Sequence, residues 1–404
     1  MEVLEGRMPF QERSNEKLVQ RIAISNVQIV TEDSLISNGT VIVKDGKIQN
    51  VTTRNEALPS DIECIDGNGH LLIPGMIDLH IHGANGHDMM DGSVNSIYEV
   101  SKACAESGCT SFLATSVTSS LDKLLTMISN VKKAIGNEPG AQITGLHLEG
   151  PYLNPKRKGM QNEDFLRHPD LEEMEKILVH SGDLVKMVTI APELPGGIEL
   201  VKELKAKGII VALAHSDATY EEAKAAFQLG ASHVTHCFNG MRPIHHREPG
   251  LIIAAFEGDH VSLQAIVDGI HLHPAIVRLM HRMKGPEGVA LITDALQAMG
   301  LGDGDYLFGG HQVKVENGVA RLKDGTLASS TVKMNEALKK AVESGIPLWD
   351  AVMMATRTPA DILGLKTKGR IAANADADLV LLDEKFNVKW TMICGKIGLS
   401  LKAQ

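Results

Sequence analysis

The hydrophobic rhythm divides the chain into three stretches. Residues 1–20 carry no apolar period and read as a flexible polar leader. From Arg21 short apolar runs follow, broken by turn signals: IAISNVQIV, TVIVKDGKIQNV and HLLIPG. Asp45-Gly46, set between alternating apolar residues, is a hairpin signal. The same character returns near the C-terminus in GRIAANADADLVLLDEKFNVKWTMICGKIGL. Chain ends often lie close together. Residues 21–73 and 368–404 are therefore expected to form one small β-sandwich domain built from both ends.

Residues 74–367 behave differently. Eight apolar runs read as strands: 75–82, 110–116, 142–149, 186–192, 209–216, 232–239, 261–268 and 289–295. Between them, residues 95–107, 120–134, 170–180, 197–207, 219–229 and 273–284 have helical spacing. YEEAKAAFQLG, for example, ends on a Gly suited to stopping a helix. This α/β alternation over about 220 residues predicts a (β/α)8 TIM-like barrel. A doubly wound open sheet is the runner-up, but no GxGxxG or Walker motif follows any strand. The Gly-rich segment 296–330 is expected to be a hairpin or loop inserted after the eighth strand.

Composition narrows the function. With 43% hydrophobic and 22% charged residues, the 404-residue chain can bury a real core, which excludes wholesale disorder. A net charge of −10 argues against binding nucleic acid. No apolar run approaches the roughly 18–20 residues of a membrane span, and the leader lacks the apolar core of a signal peptide. Five scattered cysteines without a CxxC fit a reducing, cytoplasmic setting and argue against a disulfide framework.

The 17 histidines are placed unevenly. His80 and His82 close the first strand two residues apart, so both rings share one side. Glu149 ends GLHLEGP, His215 ends VALAHS, His236 lies in HVTHCFN and Asp294 ends ALITDA. Successive intervals of 69, 66, 21 and 58 residues correspond to two, two, one and two barrel units of roughly 31 residues. All six groups then converge on the face where such barrels carry their active sites. Four imidazoles and two carboxylates can hold two divalent cations, with Glu149 able to bridge them. Imidazole and carboxylate donors suit Zn, Fe, Mn or Co. His233, three residues before His236, is the competing candidate; His236 is preferred because it is nearer the strand end.

The motifs GMIDLHIHG, GLHLEGPYLNPKRKG, AHSDAT, THCFNGM, REPG, DGIHLHP, TDALQAMG and GTLASS follow one another in order. Together they resemble the amidohydrolase superfamily and, within it, the N-acetylglucosamine-6-phosphate deacetylase family, over roughly residues 21–395. The resemblance implies hydrolysis of N-acetyl-D-glucosamine 6-phosphate to D-glucosamine 6-phosphate and acetate. It implies metal binding by Glu149, His215 and His236. Because His80 and His82 are kept, it implies the two-metal form of the family, with Zn or Fe first and Mn or Co also suitable. Asp294 takes the place of the catalytic proton shuttle. Arg247 matches an arginine that contacts the sugar phosphate, often in the neighbouring subunit of a homodimer. His271, Asn239, Gly240, Leu327 and Ala328 match substrate-contacting positions. Gln161 matches a further substrate-binding position where some relatives have His, and it can donate a hydrogen bond but carries no charge. Ala373-Asn374 replaces a common Gly in the closing turn, and Asn tolerates the left-handed conformation. The competing enzyme reading is an amidohydrolase acting on a cyclic amide, an acylated amino acid or an aminated base, which has no need of Arg247.

Overall fold

The computed structural model describes residues 21–53 and 62–398. The expected leader, residues 1–20, lies outside the described residues, as do 54–61 and 399–404. Eight parallel strands form the central sheet: β1 (Met76–Ile81), β2 (Cys109–Thr115), β3 (Gln142–Glu149), β4 (Val185–Ile190), β5 (Ile210–Leu213), β6 (His233–Val234), β7 (Ser262–Ile266) and β8 (Val289–Ile292). Each pairs with its neighbour in chain order. Parallel strands covered by helices bury both faces, and β1, β2 and β8 are buried at every position. The connecting helices include Val94–Glu106, Leu121–Ala134, Leu171–Ser181, Gly197–Ala206, Tyr220–Leu229 and Pro274–Lys284, within two residues of the expected spans. Local chemistry sets their starts. Thr219 caps the helix Tyr220–Leu229 in a reciprocal capping box with Glu222.

The ladder runs from β8 round to β1 and is almost closed. At the seam, Ile81 bridges Ala295, and the Asp294 N–H donates to the His80 carbonyl at 2.8 Å. The Asp78 carboxylate completes the closure. It accepts from the His80 N–H at 3.1 Å, the Thr293 N–H at 3.3 Å and the Thr293 hydroxyl at 2.5 Å. Burial pushes the Asp78 carboxyl up to about 7 despite these donors. One carboxylate thus joins the first and last strands immediately beside His80 and Asp294.

The two chain ends build a second, mostly antiparallel sheet. Its order is 396–398, 388–393, 379–382, 71–74, 21–30, 35–44 and 47–52, with 63–66 paired to 21–30. Asp45 and Gly46 take φ of 50° and 77° in the turn between strands 35–44 and 47–52, as the hairpin signal predicts. The Ile48 N–H donates to the Ala375 carbonyl at 2.9 Å, so this edge meets the segment leading into 379–382. The enclosed core draws on both ends: Ile24, Val27, Ile29, Val41 and Leu72 from one, Ile371, Leu379, Leu381, Trp390 and Met392 from the other.

The segment after β8 forms a three-stranded antiparallel sheet over Gly304–Phe308, His311–Glu316 and Val319–Arg321. Phe308, Val313, Val315 and Ala328 pack with Val117 and Met160 into a small core. That packing brings residues 321–329 to the C-terminal mouth of the barrel. No described helix is long and apolar enough to cross a membrane.

Candidate metal centre and active site

The six metal-competent residues of the sequence reading come together in two groups. His80, His82 and Asp294 form one; Glu149, His215 and His236 form the other. In the first, His80 Nε2 lies 3.0 Å from His82 Nε2, and Asp294 Oδ1 lies 3.4 and 3.2 Å from them. In the second, His236 Nε2 lies 3.1 Å from His215 Nε2, and Glu149 Oε1 lies 2.9 Å from His236 and 3.3 Å from His215. Glu149 stands between the groups, with Oε2 3.5 Å from His82 Nε2.

These spacings fit cations. Bonds of about 2.0–2.2 Å from a first-row cation to N and O set adjacent donors about 3–3.6 Å apart. Each group presents a triangular face of that size. Two imidazole nitrogens 3 Å apart repel unless a proton or a cation lies between them. Electrostatics agree. Burial opposes ionisation of Glu149 and Asp294, but the surrounding imidazoles outweigh it and hold both carboxyls below their usual range. For His82, burial is outweighed by the Asp294 hydrogen bond and the charges of Glu149, Asp294 and Asp88, which push it up to about 9. Burial dominates at His80 and pulls it to about 4. The two carboxylates are thus kept ionised among the imidazoles, the state in which they can serve a cation.

The backbone is bent to reach this arrangement. His215, His236 and Asp294 have φ of 45°, 29° and 48°, in the left-handed region that non-glycine residues rarely enter. Such strain gathers at functional sites and costs about 1–3 kcal/mol per residue. At His236 it also explains the short sixth strand. The run 232–239 is strand only at His233–Val234, and His236 is turned toward Glu149 by its own backbone rather than by strand alternation. His233 is turned elsewhere, with Nδ1 2.6 Å from the Ser262 hydroxyl.

Several supporting residues escaped the sequence reading. Gln264 Oε1 lies 3.1 Å from His80 Nδ1 and accepts the His236 N–H at 3.3 Å. The Arg157 carbonyl accepts from His215 Nδ1 at 2.8 Å. Both fix the ring whose other nitrogen faces the group, the usual support of a metal-binding imidazole. Asp268 Oδ2 lies 2.7 Å from His271 Nδ1. Its carboxyl is kept below the usual range because hydrogen bonds from His271 and two backbone N–H groups outweigh burial. The spacing of the DGIH motif carried the Asp268 signal; a lone polar residue in the apolar run VSLQAIVD carried that of Gln264.

A cleft of about 350 Å³ opens over the groups. Gln161, Asn239, Gly240, His271, Asp294 and Leu327 line it beside Glu149, His215 and His236. Gly240 has φ of 62°, and a Cβ there would stand 2.8 Å from His215 Nδ1. Ala328 is fully buried in the hairpin core and is not among the cleft-lining residues. Arg247 is also not among them. It stands exposed on the loop after Met241, with Nη1 2.7 Å from His246 Nε2. The neighbouring cations of the PKRKG segment pair with acids: Arg157 and Lys156 with Asp217 at 2.8 and 3.6 Å, and Lys158 with Glu163 at 3.1 Å. Among the described cleft-lining residues, Arg321 is the one permanent cation.

The Amidohydrolase family profile matches residues 71–398. The N-acetylglucosamine-6-phosphate deacetylase of Bacillus subtilis (strain 168) is 39% identical, covering 94% of this chain and 98% of that protein. An N-acetylgalactosamine-6-phosphate deacetylase of Escherichia coli O157:H7 is 33% identical, covering 92% and 97%. Among solved structures, an aspartate-to-alanine mutant of the N-acetyl-D-glucosamine-6-phosphate deacetylase of Mycobacterium smegmatis, in complex with N-acetyl-D-glucosamine 6-phosphate, superposes with a TM-score of 0.89 at 33% identity, covering 94% of this chain and all of that one. The Thermotoga maritima N-acetylglucosamine-6-phosphate deacetylase gives 0.84 at 36% identity, covering 94% and 99%. The chain belongs to the amidohydrolase family, on its N-acetylglucosamine-6-phosphate deacetylase branch.

Proposed function

We propose that the chain hydrolyses the acetamide of N-acetyl-D-glucosamine 6-phosphate to D-glucosamine 6-phosphate and acetate. The observation that carries this reading is the pair of donor groups joined by Glu149 at the floor of one cleft, with Asp294 and His271 facing the same space. Glu149, His215 and His236 would hold one divalent cation and His80, His82 and Asp294 a second, with Zn or Fe first and Mn or Co also compatible with the donors. Such cations, when bound, lower the pKa of a water and polarise an amide carbonyl.

The chain's own groups do the rest. Asp294 accepts the proton of the attacking water at Oδ2, the oxygen turned away from His80 and His82, and returns it to the departing nitrogen, as general acid–base catalysis requires. Ser329 donates to Oδ1 at 3.4 Å and steadies the carboxylate. Asp268 holds His271 by Nδ1, leaving Nε2 free for the substrate. Asn239, Gly240 and Leu327 shape the wall against the sugar. The phosphate supplies remote binding energy that orients the acetamide.

Arg247 is proposed to hold that phosphate. Because it stands away from its own cleft, this role requires a homodimer in which Arg247 serves the neighbouring site. The five free cysteines support a cytoplasmic setting. The test offers purified, metal-loaded protein N-acetylglucosamine 6-phosphate, its unphosphorylated analogue and N-acetylgalactosamine 6-phosphate, with acetate release followed. Arg247→Ala should lower kcat/KM for the phosphorylated sugar roughly 10–100-fold, the worth of a charged hydrogen bond, and leave the unphosphorylated sugar nearly unchanged. Equal loss on both removes Arg247 from the phosphate. The position of Arg321 in the cleft favours one second reading, in which Arg321→Ala takes the selective loss instead.

A further inference from the structure

Gln161 is 2% exposed and both ends of its amide are engaged. Its Oε1 accepts the Thr118 backbone N–H at 2.9 Å. A backbone N–H can only donate, so the amide oxygen must face it and the NH₂ must face the other way. There Nε2 donates to Glu149 Oε2 at 2.6 Å. Glu149 Oε1 is left toward His215 and His236. The orientation of the carboxylate between the two groups is thus set by a neutral side chain pinned to the main chain of the segment after β2.

The loop carrying Gln161 has a second hold on the same group. Its Arg157 carbonyl takes the His215 Nδ1 hydrogen bond, and a Cβ at Gly159 would lie 3.3 Å from the His215 ring. Asp217, two residues after His215, anchors the loop through Arg157 and Lys156. One short loop, residues 155–161, therefore orders two of the three members of the Glu149–His215–His236 group.

We propose that Gln161 is a positioning residue for Glu149, acting on divalent-cation affinity rather than on substrate binding. The inference rests on the metal reading given above. Partners in this outer position orient a ligand, and their loss typically weakens metal binding 10–100-fold. A substrate-contacting role would act on KM instead.

The experiment uses full-length protein freed of metal, titrated with Zn²⁺ against a chromophoric chelator in the absence of substrate. Gln161→Met keeps the bulk and removes the donor. Gln161→Asn keeps the amide but is one methylene too short to span Thr118 and Glu149 together. Both should bind the tighter Zn²⁺ roughly 10–100-fold more weakly than the parent, while KM for N-acetylglucosamine 6-phosphate at saturating Zn²⁺ moves less than about threefold. Should the Met variant fail to fold, the Asn variant carries the test. Unchanged affinity with a raised KM overturns the proposal and gives Gln161 to the sugar. A parent protein that binds no Zn²⁺ overturns the metal reading itself, so the two failures are distinguishable.

Discussion

Asp294→Asn is expected to lower kcat by roughly 10²–10⁴-fold, the range spanned by general acid–base groups, with little change in KM. Asn reproduces the size of Asp and one oxygen, so the hydrogen bond from Ser329 survives. It also tolerates φ of 48°, which most residues do not, so the bend at the end of β8 is kept. What it lacks is a site that can take up and return a proton. The measurement is steady-state acetate release together with elemental analysis. The Glu149–His215–His236 group should retain its cation, because Asp294 is not one of its members. A variant that keeps more than a tenth of parental kcat ends the proton-shuttle role.

Removal of divalent cations is expected to abolish turnover and to lower thermal stability. Six donor groups are buried at the barrel mouth, and two of them are carboxylates held ionised there. Cations bind this arrangement in the folded chain and not in the unfolded one. At a thousandfold excess over Kd that preference is worth about 4 kcal/mol. Prolonged dialysis against a strong chelator should therefore shift the melting transition down by several degrees and stop acetate release, and Zn, Fe(II), Mn or Co should restore both. Protein shown metal-free by elemental analysis that still turns over substrate would refute the assignment of these six residues.

Much of the site was legible because barrels place function at strand ends. His80, Glu149, His215 and Asp294 each close an apolar run, and the run lengths and intervals alone put them on one face. His236 was less legible. It lies beyond a strand that stops at Val234, and a φ of 29° aims it, a property that no period-two pattern encodes. Contacts across the barrel were invisible for a related reason. Asp78 meets Thr293 over 215 positions, and Gln264 meets His80 over 184. Periodicity reports which face a residue takes within its own element; which distant element lies opposite is fixed only when the ring of strands closes. Nothing in the order of the residues shows that Asp217, some 60 positions on, pairs with Arg157.

The sheet made from both termini has a consequence for biosynthesis. Strands 21–30, 35–44 and 47–52 leave the ribosome well before residues 371–392, which carry part of the apolar cluster they require. With roughly 300 residues to be translated in between, at about 5–20 residues per second, the early strands wait on the order of 15–60 s with open edges. The nascent amino end is thus a natural client for chaperones. Protease applied to stalled nascent chains should cut within residues 21–52 until residue 393 has emerged, and early protection there would contradict this order of assembly.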